Sequence, residues 1–380
     1  MSESWDVVVV GGGNAALCAA LAARDVGATV LVLERAPYEH RGGNTAFTAG
    51  VMRTTYDGVD DVLTPSPGLS AEELAQADFG RYTADRFLDD LARMTDYRTD
   101  PDLADALARR SFATLQWMTT KGVRFMPGYS QQLFRQNGRY VFPDGLTMEV
   151  SGGGAGLVDA LTAACKDAGV DVRYGAPARS LLTDHTDAVV GVTARVDGIV
   201  RELAAGAVVL ACGGFGANAE WRARYLGPGW DLARVRGSRF STGDGLRMAL
   251  DVGAMPFGHW SGVHATSWEL NAPSCGDRNH SPGFHKTGYP FGIMVNRRGE
   301  RFFDEGAHYR SHTAAAGGPA ILRQPGQVAW QVFDSQVTRL LGEEYRIREV
   351  TRVRADSLDQ LADRLDGVDP DGFLRTVHDY

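Results

Sequence analysis

The chain has 380 residues, of which 44% are apolar and 23% are charged, and its formal net charge is −8. This composition excludes a disordered, collagen-like or disulfide-rich chain, and the acidic balance argues against nucleic-acid binding, which needs a basic surface. The four cysteines contain no CxxC pair, no signal peptide is visible and no apolar run approaches the length of a bilayer span. We therefore expect a cytoplasmic chain without membrane insertion.

The start of the chain has the order strand, glycine turn, helix, strand and acid. Residues 5–10 (WDVVVV) predict a buried parallel strand, small residues follow as a helix, and a second apolar strand ends at Glu34. Gly11 allows the tight turn, Gly13 lets the backbone approach a pyrophosphate, and Ala16 lets the helix pack closely. The helix N-terminus offers free N–H groups to phosphates. Because Glu34 can accept hydrogen bonds from ribose hydroxyls, the pattern predicts FAD or NAD rather than NADP.

A polar, glycine-rich loop follows the acid and distinguishes these two cofactors. Residues 41–50 read RGGNTAFTAG, at a place where a nicotinamide enzyme would continue with a third simple strand–helix unit. Such a loop fits a cofactor that is held further along its length, at the ribitol and the flavin. The loop therefore favours FAD over NAD.

Two amphipathic helices are predicted next. Ser70 and Glu73 form a capping box for a helix that runs to about Met94. Residues 100–122 form a second helix, which an Asp-Pro pair opens and a Lys-Gly pair ends. The expected apolar face of this second helix consists of Leu103, Leu107 and Leu115. Residues 127–149 are loop-like and aromatic, and we assign no element to them.

Three later segments combine glycines with predicted elements. Residues 152–156 (GGGAG) precede a helix, and we interpret them as a connection that lets this helix pack closely or passes near the cofactor, rather than as a second phosphate loop. Residues 188–204 predict a hairpin around Asp197-Gly198, and residues 207–211 a buried strand that ends in a glycine run. A β-meander of this kind is typical of flavin-binding domains. Asp244 begins a helix, either as a plain N-cap or beside a ligand.

Several segments resemble the FAD-dependent fumarate reductase and succinate dehydrogenase flavoprotein superfamily, and they occur in the family's order. They are GGGNAA at 11–16, Glu34, RGGNT at 41–45, VVLACGGFGAN at 208–218, TGDGLRMALDVGA at 242–254 and MVNRRGERFFDEG at 294–306. Within the superfamily, four segments most resemble the tricarballylate dehydrogenase branch. These are RGGNTAFTAGVMR at 41–53, GHWSGVHA at 258–265, YPFGIMVN at 289–296 and QPGQVAWQVFD at 324–334.

The resemblance implies an α/β fold with two domains. The first is a Rossmann-like FAD-binding domain, with a parallel sheet plus a β-meander, over residues 1–257. The second is an α+β substrate-capping domain over residues 258–380. The residues expected to bind FAD are Gly11, Gly13, Asn14, Ala15, Ala16, Glu34, Arg35, Gly42, Gly43, Asn44, Thr45, Ala178, Gly213 and Asp244.

Two departures from the family pattern bear on the chemistry. Members with covalent FAD carry a histidine in the loop where this chain has Asn44, so we expect noncovalent FAD. Fumarate-reducing members place an arginine proton donor shortly before the strand that contains MVN. An ungapped count puts Gly288 at that place, with Tyr289 beside it and Lys286 two residues earlier. This departure favours substrate oxidation over fumarate reduction.

Six of the nine histidines lie within residues 259–312, but they form no HExxH or Cys/His pattern, so we predict no metal site. They are His259, His264, His280, His285, His308 and His312. His264 lies close to where the family places a histidine against a substrate carboxylate. We therefore name His264, Lys286 and Tyr289 as catalytic or substrate-binding candidates. Arg301 and Glu305 either face the flavin cleft or form a structural pair.

The resemblance implies hydride exchange at a CH–CH bond next to a carbonyl or carboxylate. We interpret the reaction as dehydrogenation of a small polycarboxylate, similar to tricarballylate. A separate electron-acceptor protein or quinone-linked partner is expected, since no Fe–S or haem motif is visible. A ketosteroid-type or fumarate-reductase-type flavoenzyme stays open. An inactive FAD-binding fragment also stays open, because the family's C-terminal return segment to the FAD domain is not visible.

Overall fold

The structure is a computed structural model, and it describes residues 3–129, 134–142, 145–278, 281–308 and 310–380. The chain divides into two compact units. The first unit consists of Met1–Asn218 and Gly237–Trp260, and the second of Ala219–Arg236 and Ser261–Tyr380. The proposed domain bounds, 1–257 and 258–380, differ from these units in where residues 219–236 and 258–260 are placed.

The described strands and α-helices of both units are numbered here in chain order, and those not assigned to the second unit below belong to the first. The strands are β1 (Ser4–Val10), β2 (Val30–Leu33), β3 (Val51–Arg53), β4 (Ala77–Asp78), β5 (Phe125–Pro127), β6 (Phe134–Gln136), β7 (Arg139–Val141), β8 (Thr147–Val150), β9 (Asp171–Arg173), β10 (Ala178–Thr183), β11 (Val189–Val196), β12 (Ile199–Leu210), β13 (Ile293–Val295) and β14 (Trp330–Val332). The α-helices are α1 (Asn14–Asp25), α2 (Val59–Leu63), α3 (Ala71–Gln76), α4 (Ala84–Met94), α5 (Pro101–Thr120), α6 (Gly153–Asp167), α7 (Ala219–Leu226), α8 (Asp244–Asp251), α9 (Ser281–Phe284), α10 (Arg310–Thr313), α11 (Gly317–Leu322), α12 (Leu358–Arg364) and α13 (Pro370–Asp379). The second unit holds β13, β14, α7 and α9 to α13.

The main sheet of the first unit has the strand order β10-β11-β12-β1-β2-β9. Strands β12, β1, β2 and β9 run parallel, whereas β10, β11 and the first half of β12 form an antiparallel meander. The predicted fold class is therefore confirmed. The hairpin turn has Asp197 at φ 52° and Gly198 at φ 78°, as a type I′ turn requires.

One strand prediction was wrong. The segments 199–204 and 207–211 were expected to be separate strands, but β12 is continuous from Ile199 to Leu210. Its first half pairs with β11 and its second half pairs with β1, from Ala204 against Ser4 to Leu210 against Val10. One long strand can pair with both β11 and β1 because each half of it has a different neighbour. The continuity carries the meander directly to the glycine run after β12.

Small and β-branched residues make the first-unit core close-packed. Val8 and Val9 in β1 are fully buried, and so are Ala16 and Ala20 on the face of α1 that meets the sheet. Helix α6 packs beside α1, with Leu161 fully buried. Alanines at these positions let α1 lie close to β1. The close packing fixes where the N-terminus of α1 lies relative to the ends of the strands.

The predicted helix from Ser70 to about Met94 was also wrong, because the chain forms two helices there. Helix α3 has the expected capping box at Ser70, but it ends at Gln76, and α4 begins only at Ala84. Phe79 and Tyr82, between the helices, are both buried, and the Tyr82 hydroxyl donates to Asp90 Oδ2 over 2.7 Å. The break between α3 and α4 lets both aromatic rings enter the core.

Helix α5 has its predicted bounds but a different buried face. Leu103 and Leu107 are 68% and 53% exposed. The buried positions are Ala104, Ala108, Leu115 and Met118. Small alanines face inward because a backbone segment lies against the helix there: the Thr55 N–H donates to Ser111 Oγ over 3.0 Å, and Thr55 Oγ1 donates to the Ala108 carbonyl.

The second unit has a small core between a strand pair and two C-terminal helices. Strand β13 pairs antiparallel with β14, and Val295 and Phe373 are fully buried in this cluster. Residues 301–303 add only one bridge to this strand pair, from Val295 to Arg301. The side chains of Ser357 and Asp369 cap the N-termini of α12 and α13. None of the helices in the described ranges is both long and apolar enough to cross a bilayer.

Candidate functional site

The glycine turn after β1 lies at the carboxyl ends of the parallel strands. Gly11 has φ 120° and its N–H donates to the Leu33 carbonyl over 2.9 Å. A Cβ on Gly11 would overlap the Ala211 carbonyl at the end of β12. The turn therefore lies between β2 and β12 at a distance that only glycine permits.

Helix α1 begins directly after this turn with an uncapped N-terminus. Its N-cap residue, Gly13, has no side chain to accept a hydrogen bond, and the first turn contains no acid. The Asn14 N–H donates to Thr45 Oγ1 over 3.0 Å, which brings the 41–50 loop to the helix end. Ala15 and Ala16 complete the first turn. The positive end of the helix dipole is therefore available to an anion.

Glu34 ends β2 beside the glycine turn. It is 5% exposed, and Oε1 accepts a hydrogen bond from the Ala36 N–H over 2.7 Å. A Cβ on Gly12 would overlap Oε2, so the carboxylate touches the turn. Burial raises the pKa of Glu34, and the Ala36 N–H and Arg35 oppose that shift. The arrangement presents a buried acceptor next to the phosphate-binding turn.

Arg35 and Asp244 are distant in sequence but form an ion pair. Arg35 Nη1 contacts Asp244 Oδ2 and donates to Thr242 Oγ1 over 2.6 Å. Thr242 Oγ1 also donates to the same carboxylate oxygen. Asp244 is the first residue of α8, whose N-cap is Gly243. Arg35 and Asp244, which were both expected to bind the cofactor, thus contact each other. The N-cap of α8 is Gly243 and not Asp244.

The loop at 41–45 is fixed on two sides. Asn44 Oδ1 accepts from the Ser238 N–H over 2.9 Å and from Ser241 Oγ over 3.3 Å. Gly42 lies against α6, since a Cβ on Gly42 would be 2.6 Å from Val158 Cγ2. These contacts join the loop to the 237–245 segment and to α6. Gly43 faces open space, with no heavy atom within 4 Å of its Cβ position.

Gly154 makes the contact between α6 and the 41–50 loop, and the sequence did not identify this partner. Its N–H donates to the Thr48 carbonyl over 3.0 Å. A Cβ on Gly154 would overlap the Thr45 carbonyl and lie 2.6 Å from Thr48 Oγ1. The GGGAG segment therefore lets α6 pack against the 41–50 loop, as the first of our two interpretations has it. The glycine-rich composition was the signal, but it does not reveal the partner.

The remaining expected cofactor residues border the same sheet edge or its meander. Gly213 follows β12, where Cys212 Sγ contacts the Val10 carbonyl at 3.3 Å. Burial raises the pKa of the Cys212 thiol to about 11, so the thiol stays protonated at neutral pH. Ala178 lies in β10 at the edge of the meander, opposite Ala194, and is half-buried. Gly214 faces open space.

These residues fit FAD. The helix end offers N–H groups for a pyrophosphate, Glu34 offers an acceptor for ribose hydroxyls, and the glycines at 43, 214 and 216 have no heavy atom within 4 Å of a Cβ position. Open glycine backbone on two sides leaves room for an extended cofactor along the strand ends. All of these groups belong to the first unit.

In the second unit, Lys286 is buried and engaged by protein acceptors. Its Nζ donates to the Gly283 carbonyl over 3.0 Å and to the Glu344 carbonyl, and Glu269 Oε2 lies 3.6 Å away. Burial lowers the pKa of Lys286, and Glu269 opposes that shift. Lysine has three N–H donors, and these acceptors match all three. Lys286 therefore joins α9 to residues far along the chain.

Tyr289 is buried too, and its hydroxyl shares a 2.5 Å hydrogen bond with Thr313 Oγ1. Burial raises its pKa. Next to it, Gly288 packs against Tyr345: its N–H donates to the Tyr345 hydroxyl over 2.7 Å, and a Cβ would lie 2.8 Å from Leu341 Cδ2. An arginine side chain at position 288 would have to displace these groups.

His264 is exposed and belongs to a positively charged neighbourhood. Packing around its imidazole lowers the pKa of His264, and Arg236 lowers it further. His285 lies close by: burial is the main cause that lowers its pKa to about 3, followed by Arg236, His264, Arg310 and Lys286. None of the groups that shift the pKa of His285 is an acid. His280 lies outside the described residues.

Arg301 and Glu305 form the structural pair that was one of our two alternatives. Arg301 Nη2 lies 2.6 Å from Glu305 Oε2, and Glu305 Oε1 accepts from the Met294 N–H over 2.6 Å. The His308 and His312 rings stack at 4.3 Å. Across the described ranges, no group of three His, Cys, Asp or Glu side chains is arranged to hold a metal ion.

The depressed pKa of His285 predicts a dependence of stability on pH. An unfolded histidine has a pKa near 6.5, whereas the folded value is about 3. Between these values the unfolded chain binds a proton that the folded chain does not. The free energy of unfolding should therefore fall as the pH falls below about 6.5, by up to about 1.4 kcal/mol per pH unit.

Denaturant unfolding at several pH values between about 7 and 5 checks this expectation. His285→Gln should reduce the slope, and His185→Gln, at an exposed turn position, should leave it as in the parent chain. An unchanged slope in His285→Gln would show that other groups cause the acid sensitivity.

Comparison with known proteins identifies the family of the chain. The family described as FAD binding domain matches residues 6–380. The probable fumarate reductase Ifc3 of Shewanella frigidimarina is 29% identical over 390 residues, which cover 100% of this chain and 59% of that protein. The open conformation of a flavocytochrome c3 fumarate reductase has a TM-score of 0.72 at 26% identity, over 100% of this chain and 61% of that chain.

A 3-ketosteroid delta1-dehydrogenase from Sterolibacterium denitrificans has the same fold, with a TM-score of 0.75 at 20% identity, over 99% of this chain and 79% of that chain. The chain thus spans less than two thirds of the Shewanella relative. The family match nevertheless covers both compact units. The chain therefore belongs to the FAD binding domain family, its homologues include fumarate reductases, and its cofactor is FAD.

Proposed function

We propose that the chain is an oxidoreductase that dehydrogenates a small polycarboxylate, similar to tricarballylate, at a CH–CH bond next to a carboxylate. Bound FAD supplies the hydride acceptor. The protein's own task is to hold the carboxylates, to orient the C–H bond and to take up the proton from the neighbouring carbon.

The observation that carries the proposal is the half-buried guanidinium of Arg236, whose pKa shift no acidic group opposes. Arg236 lowers the pKa of both His264 and His285, and an anionic substrate would supply the opposite charge. Neutralised carboxylates also make the adjacent C–H bond more acidic. A neutral steroid would supply no opposite charge to Arg236.

Proton uptake is best assigned to His264 among the three candidates. Burial and Arg236 lower its pKa, which favours the neutral imidazole, and a neutral imidazole can accept a proton or donate a hydrogen bond to a carboxylate. Tyr289 is a poor base because burial raises its pKa. Lys286 needs its protons for its own acceptors, so we assign it a positioning role.

The direction of the reaction is the least constrained part of the proposal. The similar Shewanella protein is named as a fumarate reductase, which favours reduction as a second candidate. The arginine proton donor implied for that direction falls on Gly288, where the packing against Leu341 and Tyr345 supports no arginine side chain. We therefore keep dehydrogenation, with electrons passing to a separate acceptor protein or quinone-linked partner.

Anaerobic mixing of the purified FAD-loaded protein with substrates tests the function. Tricarballylate should bleach the oxidised flavin absorbance, and 4-androstene-3,17-dione should not. Bleaching by the steroid alone would replace the carboxylate proposal with a ketosteroid-type activity. Reoxidation of chemically reduced protein by fumarate, without bleaching by tricarballylate, would reverse the direction. A protein that takes up no FAD would support the inactive-fragment alternative.

Asn44 predicts how the flavin is held. Its carboxamide is occupied by Ser238 and Ser241, and it has no imidazole nitrogen to bond a flavin methyl group. Acid precipitation of the loaded protein should therefore release all flavin into the supernatant, as absorbance would show. Flavin that stays with the precipitate after washing would reveal a covalent bond elsewhere in the chain.

A further inference from the structure

We propose that Arg236, together with the indole N–H of Trp268, is a carboxylate-binding subsite of the second unit. Its ligand would be a carboxylate of the substrate. This inference rests on the proposed polycarboxylate substrate and names residues that fix its specificity. Neither Arg236 nor Trp268 was singled out from the sequence.

Arg236 is half-buried, yet its guanidinium has no hydrogen bond or ion pair with any described residue. Other partly buried arginines of this chain are satisfied: Arg222 donates to the carbonyls of Trp230, Asp231 and Ala233, and Arg301 donates to Glu305. Burial lowers the pKa of Arg236, and no acidic group opposes the shift. A desolvated guanidinium without an acceptor is unfavourable, so an external anion is the expected partner.

Trp268 orients Arg236 and contributes an unsatisfied donor. The Arg236 guanidinium carbon lies 6.0 Å from the Trp268 ring centroid, at the outer limit of a cation–π contact. The Trp268 Nε1 atom is buried and has no hydrogen-bond partner among the described residues. A buried indole N–H usually has an acceptor. One oxygen-rich ligand would satisfy both groups.

His285 and His264 extend this neighbourhood. Trp268 forms a strand-type bridge with His285, and the two rings lie 6.4 Å apart. Arg236 acts electrostatically on both histidines. The neighbouring acid, Glu269, is directed toward Lys286 and Thr351, so it leaves Arg236 uncompensated. The local charge therefore favours a ligand with more than one negative group.

The geometry of the Arg236 donors indicates the chemical class of the ligand. A guanidinium presents parallel N–H groups that match the two oxygens of a carboxylate, and the binding becomes bidentate. A lysine at position 236 would keep the charge but lose the parallel N–H groups. A planar carboxylate also fits beside an indole ring better than a tetrahedral anion does. We therefore expect a carboxylate rather than a phosphate.

Calorimetric titration of the FAD-loaded protein with malonate, a dicarboxylate without an oxidisable CH–CH bond, tests the subsite. Arg236→Gln should weaken malonate binding by about 10–100-fold, the factor for one charge-assisted hydrogen-bonded pair. Arg236→Lys should fall between this variant and the parent. Trp268→Phe keeps the ring and loses the N–H, and it should weaken malonate binding by about 3–10-fold. Arg234→Gln, two residues earlier and exposed, is the matched control.

A second measurement separates binding from a structural role. If Arg236 serves a ligand, the ligand-free melting temperature of Arg236→Gln should equal or exceed that of the parent, because an uncompensated cation is removed. A lower melting temperature with unchanged malonate affinity would overturn the inference. Unmeasurable malonate binding to the parent, or equal Arg236-dependent affinity for inorganic phosphate, would overturn it as well.

The outcomes also separate this inference from the proposed function. Flavin bleaching by tricarballylate with parent-like affinity in Arg236→Gln would keep the function and reject the subsite. Loss of malonate binding in Arg236→Gln, without bleaching by any polycarboxylate, would keep the subsite and reject the dehydrogenase.

Discussion

Gly154→Ala should weaken FAD binding by at least about tenfold and destabilise the first unit by about 1–3 kcal/mol, the usual cost of overpacking. The added methyl group would overlap the Thr45 carbonyl and approach Thr48 Oγ1 to 2.6 Å. Both atoms belong to the 41–50 loop, so α6 and the loop must separate. Separation would pull Thr45 from the Asn14 N–H at the start of α1.

The effect on the cofactor should exceed the effect on stability, because the loop joins several parts of the flavin site. Flavin fluorescence titration gives the affinity, and denaturant unfolding of the FAD-free protein gives the stability. Gly68→Ala is the control, since its Cβ position meets no heavy atom within 4 Å. Parent-like FAD affinity in Gly154→Ala would mean that the loop position does not determine flavin binding.

Features that depend on neighbouring residues were predicted well. The turn, helix and acid of residues 11–34 follow one another in sequence, and the hairpin at Asp197-Gly198 requires only a turn with positive φ angles. The capping box of Ser70 and Glu73 consists of local hydrogen bonds. Each such signal carries its physical cause within a few residues, so the sequence alone is sufficient.

Features that depend on distant partners were not predicted. The inward face of α5 includes Ala104 and Ala108 because Thr55 lies against the helix there, with its Oγ1 donating to the Ala108 carbonyl, and no periodicity of leucines reveals that contact. Lys286 was a catalytic or substrate-binding candidate, but the Glu344 carbonyl, 58 residues away, is one of its acceptors. Arg35 and Asp244 were both expected near FAD, yet their mutual ion pair appears only in the structure.

The same limit explains why Arg236 was missed. An arginine is ordinarily satisfied by an acid or a carbonyl, and the sequence contains 36 arginines with nothing to distinguish one from another. Only the structure reveals which guanidinium is half-buried without an acceptor among the residues it describes. Unsatisfied polar groups point to ligands because folding alone would not favour them.

Glu34→Gln should weaken FAD binding by about 10–100-fold, since two neutral hydrogen bonds replace charge-assisted ones to the ribose. The FAD-free protein should become no less stable at pH 7. Burial raises the pKa of Glu34, so the folded chain binds a proton more readily than the unfolded chain in the range from about 4.5 up to that raised value. Stability contributed by protonated Glu34 is therefore lost as the pH rises through this range, and glutamine avoids the loss. Glutamine also keeps an acceptor for the Ala36 N–H.

Flavin fluorescence titration and thermal melting check the two expectations, with exposed Glu202→Gln in β12 as the control. A lower melting temperature together with parent-like FAD affinity would make Glu34 a structural acid rather than a ribose ligand.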